Sequence, residues 1–264
     1  MVRRARRVAT TIAAAGVCLL VAQAAQARAP APGFEEFFGC PEPPVVIDHC
    51  VVSSITGRVQ LGRIELVITA PLKQNGGVPP AFPAPFLFNE RGGMFSPQIA
   101  VRWAGRPQDA VDAGLDRVFA LLQMAGTPMS TLPFGNTLPL KVRLVHPRLG
   151  ARCFIGSDAA PIRLDLTTGT TTPPPPNLPI SGAVPGFGPD PQDPRISLVT
   201  GGVLVDNAFF APLANGCGPA GQAGALDGVI NRLAAFPAAG GMNTAVLAFS
   251  ARLATQSDVY PATS

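Results

Sequence analysis

The sequence predicts a mainly β protein, an antiparallel sandwich or partly closed barrel with two helices packed against it. Runs of β-branched and apolar residues alternate with polar ones at a period of two, most clearly over residues 138–146. Turn residues separate these runs. The chain also contains 30 prolines, about twice the usual share of ~5%. Because proline interrupts helices and central strands, we expect short elements joined by ordered loops.

The strand pattern begins with a predicted three-strand meander that has turns at Thr56-Gly57 and at Gly62. A later pair of strands flanks Gly201-Gly202 and predicts a hairpin. Single strands complete the sheet. The predicted strands are residues 51–55, 58–61, 63–69, 98–103, 138–146, 153–155, 162–166, 195–200, 203–206 and 243–253.

Two segments have helical periodicity. The first begins at Pro107, which suits the first turn of a helix, and ends before Gly126. Its predicted apolar face consists of Val111, Leu115, Val118, Phe119 and Leu122. The second helix is predicted within residues 223–236. Loops are predicted where proline and glycine cluster, at residues 71–85, 167–176 and 185–194.

The N-terminal segment has the organisation of a secretory signal peptide. Four arginines precede an apolar stretch at residues 8–22, and Ala25-Gln26-Ala27 supplies a small-residue cleavage site. The stretch is too short for a transmembrane span of about 20 residues, so no span is predicted in the mature chain. The chain therefore divides into a signal peptide at 1–27, an N-terminal arm at 28–44, a single β-rich domain at 45–256 and a tail at 257–264.

The charge balance argues against nucleic acid as a partner. The whole chain has 20 basic and 16 acidic residues, but four of the basic residues belong to the predicted signal peptide. Removing them leaves a formally neutral protein. A nucleic-acid binder needs a surplus of cations to neutralise phosphates.

Four cysteines remain after the predicted signal peptide, and an even number in an exported chain indicates disulfides. Three pairings are possible. We favour Cys40–Cys50 and Cys153–Cys217, because each pair begins in its own sequence module. No metal is predicted, since there is no Cys-x-x-Cys and the two histidines, His49 and His146, are far apart in the sequence.

No catalytic residue is predicted, because the motifs of serine hydrolases and zinc proteases are missing. No cofactor is predicted either, since the chain lacks a phosphate loop and a dinucleotide fingerprint. One enzymatic alternative stays open. A secreted hydrolase would use an unfamiliar site near His146 and Ser157, with Asp158 or Asp165. A turn is the simpler interpretation of Gly156-Ser157-Asp158.

Four aromatic residues are candidates for binding an apolar ligand: Phe82, Phe86, Phe88 and Trp103. The first three make the loop at 71–85 and its continuation unusually apolar. Packing inside the protein is the simpler interpretation of such a segment. The alternative is a lipid carrier, lined by these phenylalanines and by the predicted helix face from Leu115 to Leu122.

The segment at 153–173, with Cys153-Phe-Ile-Gly-Ser157 and Pro161-Ile-Arg-Leu-Asp-Leu, resembles a group of exported actinobacterial proteins of unknown function. Residues 57–69, 138–150 and 205–218 extend the resemblance over most of the mature chain. It implies an extracytoplasmic location and supports the second disulfide, but it supplies no catalytic residue. The sequence thus predicts an exported cell-envelope or extracellular protein with a non-enzymatic role, binding a surface protein or an apolar ligand.

Export is directly testable. The secreted form should begin at Arg28, because Ala27 ends the predicted cleavage site. Its four cysteines should be oxidised. N-terminal sequencing and thiol titration of protein purified from the culture medium or envelope check both points. Four free thiols, or an intact leader on protein in the cytosol, would contradict the prediction.

Overall fold

The backbone of this protein is organised by antiparallel strand pairing, and we describe it from a computed structural model. The structure describes residues 28–81, 83–105, 107–130 and 135–262. The predicted signal peptide and Phe82 lie outside these ranges. Within them, 14 strands join one sheet in which every pairing is antiparallel. The predicted mainly β, antiparallel fold is therefore confirmed.

The strands vary in length from two residues to 15. Their bounds are β1 His49–Leu61, β2 Ile64–Val78, β3 Ala84–Pro85, β4 Gly93–Phe95, β5 Ile99–Trp103, β6 Phe119–Met124, β7 Met129–Ser130, β8 Gly135–Val145, β9 Phe154–Ile155, β10 Ile162–Thr167, β11 Gly186–Pro189, β12 Ser197–Asp206, β13 Ala214–Asn215 and β14 Thr244–Thr255. The described α-helices are α1 Pro107–Asp112, α2 Asp227–Ala234 and α3 Gln256–Val259.

Eight of the strands pair in a closed ring. Its order is β1–β2–β5–β6–β8–β10–β12–β14, and β14 pairs again with β1. Side chains alternate between the two faces of each strand, so every second residue points into the ring. Apolar side chains fill most of this interior and form the main core.

β1 is longer than the sequence predicts. The predicted turn at Thr56-Gly57 is a β-bulge, where the pairing with β2 shifts register between Ile55 and Gly57. Gly57 has a φ of 138°, which favours glycine. The meander is therefore wrong and is replaced by one long hairpin of β1 and β2. A glycine inside a strand pattern marks a bulge as often as an end.

The predicted hairpin at Gly201-Gly202 is wrong for the same reason. β12 runs through both glycines, and its pairing with β14 shifts between Val199 and Gly202. Gly201 has a φ of 71°, which a bulge accommodates. The predicted loop at 185–194 also differs from the structure, because residues 186–189 form β11 along the edge of β12.

The first predicted helix is mostly a strand. α1 ends at Asp112, and β6 follows at residues 119–124. Val118, Ala120 and Leu122 are buried while Phe119 between them is 39% exposed, which is the period of a strand. The spacing of the apolar residues fitted both periods, and pairing of β6 with β8 decided the outcome.

The second helix is confirmed, and a disulfide lies beside it. α2 packs Ile230 and Leu233 into the main core. The Asp227 side chain at its start accepts hydrogen bonds from the backbone N–H of Cys217, at 2.7 Å, and of Gly216. Cys217 is bonded to Cys153, as predicted. The disulfide therefore ties the segment before α2 to the strand region of β8 and β9.

A second, smaller core lies outside the ring and includes both ends of the described chain. Phe34 and Phe37 of the N-terminal arm are fully buried there with the Cys40–Cys50 disulfide, which the sequence also predicted. Tyr260 is buried with them and donates a hydrogen bond to the carbonyl of Cys40 at 3.1 Å. Within the described part of the predicted tail, residues 257–262, Val259 and Tyr260 are therefore packed against the body.

The ring closes at a junction that has little backbone pairing. Between β10 and β12 the register contains one pair, Thr167 with Val205. The buried Asp206 carboxylate supplements it by accepting a hydrogen bond across the junction from the N–H of Asp165 at 2.7 Å. It also accepts a local hydrogen bond from the N–H of Ala208 at 2.9 Å. Burial raises the pKa of Asp206; the two backbone hydrogen bonds oppose this, and the nearby Asp165 charge adds to it.

This raised pKa predicts an unusual pH dependence. The folded protein holds the Asp206 proton more tightly than the unfolded chain. The stability that Asp206 contributes is therefore greatest below about pH 4, its ordinary pKa, and declines as pH rises through the higher folded value. Asp206→Asn should lower the free energy of unfolding by about 1–2 kcal/mol near pH 4, because one backbone N–H loses its acceptor.

The difference between wild type and Asp206→Asn should shrink from pH 4 to pH 7. Urea unfolding of both proteins across that range measures it. A difference that grows with pH would contradict the direction of the pKa shift.

Candidate functional site

A cavity of about 200 Å³ lies inside the ring. Its floor is one row of cross-strand neighbours that spans five strands. The register pairs Gln74 with Ser53, Ser53 with Ala251, Ala251 with Val199, and Val199 with Phe187. All five residues line the cavity. Residues paired in this way share a face of the sheet, so the row points into the ring.

The cavity exists because the middle of this row is small. Ser53 and Ala251 are nearly buried, and neither side chain reaches across the ring. Larger side chains bound the cavity, most of them two or more positions from the row on the same strands: Val51 and Ile55 on β1, Phe249 and Leu253 on β14, and Leu204 on β12, together with Phe86. A close-packed interior rarely leaves such space, because an empty cavity forfeits contacts on every side.

Two glycines make room for the aromatic walls. A Cβ at Gly76 would come within 2.5 Å of the Phe86 ring, and a Cβ at Gly202 would overlap the ring of Phe249. Each ring therefore lies over a position that has no side chain. Phe187 on β11 lines the cavity and is also 62% exposed, so one side of its ring faces solvent.

Two buried amide atoms of residues that line the cavity lack hydrogen-bond partners among the described residues. The Nε2 of Gln74 and the Oδ1 of Asn136 are both buried, and neither has a partner among the described residues. Gln74 is only 4% exposed. A buried polar atom without a partner costs about 1–3 kcal/mol, so such atoms need an explanation. Both residues line the cavity, but each of these two atoms exposes less than 1 Å² and therefore does not itself face the space.

The described lining includes no ionisable side chain. It consists of aliphatic and aromatic groups with the polar side chains of Ser53, Gln74, Ser130 and Asn136. An apolar pocket with a few polar groups is the usual composition of a small-molecule site.

Of the aromatic residues predicted to bind ligand, Phe86 lines the cavity. Phe88 is 42% exposed and is not among the lining residues. Trp103 is buried elsewhere in the core, where its Nε1 donates a hydrogen bond to the Leu115 carbonyl at 2.9 Å. Ligand binding by these residues stays a prediction. The predicted carrier lining on the helix face is wrong, because Leu115 follows α1 and Leu122 lies in β6.

The sequence analysis did not identify Gln74, Asn136 or Phe187. Gln74 was placed in a loop, although β2 extends to Val78. One feature of the sequence does indicate a cavity: small residues occupy inward-facing positions in strands that are otherwise rich in large apolar side chains. Ser53 shows this pattern in β1 and Ala251 shows it in β14.

The residues of the possible hydrolase site are each engaged separately. Ser157 is in a turn, where its Oγ accepts a hydrogen bond from the N–H of Ala160 at 3.0 Å. Asp158 forms an ion pair with Lys141 at 2.6 Å. The Nδ1 of His146 accepts a hydrogen bond from the N–H of Arg148, and Asp165 pairs with Arg163.

The sheet register also separates His146 from Ser157. β9 pairs Ile155 with Val142 in antiparallel fashion, so continuation of the register places Ser157 level with residue 140. His146 lies six positions farther along β8, which corresponds to roughly 20 Å at about 3.3 Å per residue. Hydrogen-bond contact between a base and a nucleophile requires about 3 Å. The geometry thus gives no support to a Ser157–His146 pair.

Comparison of the chain with family models, with curated proteins and with solved structures finds no match. Within the described ranges, no group of three His, Cys, Asp or Glu side chains is placed to hold a metal ion. No helix in that part of the chain is long and apolar enough to cross a membrane.

Proposed function

We propose that this protein works outside the cytoplasm as a non-enzymatic binding protein, and that its ligand is a small apolar molecule held in the interior cavity. The observation that carries the proposal is the interior cavity of about 200 Å³, which is lined mainly by apolar side chains. A ligand that fills this space would restore the contacts that the empty cavity forfeits.

Two further features support the location. The disulfides Cys40–Cys50 and Cys153–Cys217 are typical of proteins in oxidising compartments. The N-terminal sequence has the charge and hydropathy of an export signal. The resemblance to exported actinobacterial proteins is consistent with both features.

The size of the cavity restricts the ligand. An engineered protein cavity of about 150 Å³ binds benzene, and the cavity here is about 200 Å³. The enclosed part of the ligand is therefore about one ring or one short chain. A carrier that encloses a complete two-chain lipid does not fit this volume. A surface protein as an additional partner stays a prediction of the sequence.

Toluene is a suitable probe, because it is neutral, has one ring and forms no hydrogen bonds. At ten times its Kd a ligand adds about 1.4 kcal/mol to the free energy of unfolding. For a protein of this size that raises Tm by roughly 3–5 °C. We expect this shift in calorimetric unfolding of the oxidised protein. No shift with toluene, and no binding detected by ligand-observed NMR, would overturn the proposal.

Ala251→Leu is the variant that tests the location of binding. The larger side chain would enter the cavity from the centre of its floor, and the toluene shift should be lost. Ala248→Leu is the matched control, since Ala248 is on the same strand but points outward. It should keep the shift. An equal shift in Ala251→Leu and wild type would show that toluene binds elsewhere.

A further inference from the structure

We infer that β11 is a movable gate over the interior cavity and that an ion pair between Arg252 and Asp190 holds this gate closed. The inference rests on the proposed function and deepens it. It names the route by which a ligand reaches the cavity and the residues that control this route.

β11 can move without opening the strand ring. It is not one of the eight strands of the ring, and within the described chain it pairs only with β12, over Gly186–Pro189. The two glycines beside Phe187 have open space where a side chain would be. A Cβ at Gly188 would meet no atom within 4 Å, and a Cβ at Gly186 would meet none closer than 3.8 Å. Backbone hydrogen bonds therefore hold this strand with little help from packing, which is typical of segments that open locally.

Movement of β11 would uncover the cavity. Phe187 is part of the cavity lining, and so is Pro185 just before the strand. Phe187 is paired with Val199, so the two side chains share the inner face of the sheet. The exposed fraction of Phe187 is 62%, so the same aromatic ring also meets solvent. Displacement of this ring would connect the cavity with water.

The ion pair lies on the opposite face of the sheet. Arg252 is between Ala251 and Leu253, which line the cavity, so its own side chain points outward. Its Nη1 is 2.6 Å from Oδ2 of Asp190, the residue that follows β11. Asp190 is only 5% exposed. Separation of the pair would leave a buried carboxylate without its counter-charge, which is strongly unfavourable. The ion pair therefore fixes one end of β11.

Arg252 has a second carboxylate partner, which supplies a matched control. Its Nε forms an ion pair with Glu36 of the N-terminal arm. Both carboxylates contact the same guanidinium, but of the two only Asp190 adjoins β11. Removal of the charge at Asp190 should therefore release the gate, whereas removal of the charge at Glu36 should not.

The experiment measures by NMR how fast toluene exchanges between solvent and the oxidised mature protein. Asp190→Asn should raise the association and dissociation rates together by about fivefold, because a charge-assisted hydrogen bond is replaced by a neutral one. The Kd should stay the same, since a gate that is mostly closed changes both rates by the same factor. Asparagine can still accept the hydrogen bond that Asp190 Oδ1 receives from the N–H of Gln192. Glu36→Gln should leave both rates as in wild type.

Hydrogen exchange tests the gate without a ligand. In the wild type, the N–H groups of Gly186 and Gly188 face β12. They should exchange faster than the N–H groups that join β12 to β14, because a local opening needs less free energy than unfolding of the ring. Equal protection of the two sets would show that β11 opens only together with the ring, and the gate would then be wrong.

The outcomes separate the two proposals. Unchanged toluene rates in Asp190→Asn, or an equal increase in Glu36→Gln, would overturn the role of the Asp190 ion pair while the binding function stands. If toluene does not bind to the wild type, the proposed function fails, and hydrogen exchange still determines whether β11 opens by itself. An unchanged Kd in Asp190→Asn also shows that this variant is folded, so faster exchange of toluene cannot be assigned to unfolding.

Discussion

Closure of the strand ring is the constraint on which the rest of the structure depends. The ring has eight junctions between neighbouring strands. It is closed only because β10 also pairs with β12. That junction has one pair in the register, and the buried Asp206 carboxylate adds one hydrogen bond across it by accepting from the N–H of Asp165.

The same ring also explains the cavity. Strand pairing fixes which side chains meet inside, and five strands contribute one residue each to the row from Gln74 to Phe187. Because this row contains serine and alanine at its centre, the ring encloses space that its own side chains do not fill. The protein thereby gives up packing energy at this place. A ligand that occupies the space recovers part of that energy.

The sequence was sufficient for the fold class, the two disulfides and α2, because each has a local or compositional signature. The sequence-based predictions are wrong where one residue type occurs in two kinds of local structure. The sequence predicts turns at Gly57 and Gly201, and both are bulges within long strands. Leu122 fits a helical period but lies in β6. The cavity was beyond prediction, because it depends on register between strands far apart in the chain. Only Phe86 among its lining residues had been singled out.

One consequence follows from the position of β11. Within the described chain this strand pairs only with β12, so its other edge is free to recruit a strand from a second molecule and start aggregation. The N–H of Asp190 bonds to the carbonyl of Ile196, and backbone groups alternate in direction along an antiparallel strand. Residue 189 therefore faces away from β12, and it is a proline, which has no N–H to offer. The same alternation turns the N–H of Phe187 outward. Pro189 therefore removes one of the two outward-facing N–H positions of β11 and weakens intermolecular pairing along this edge.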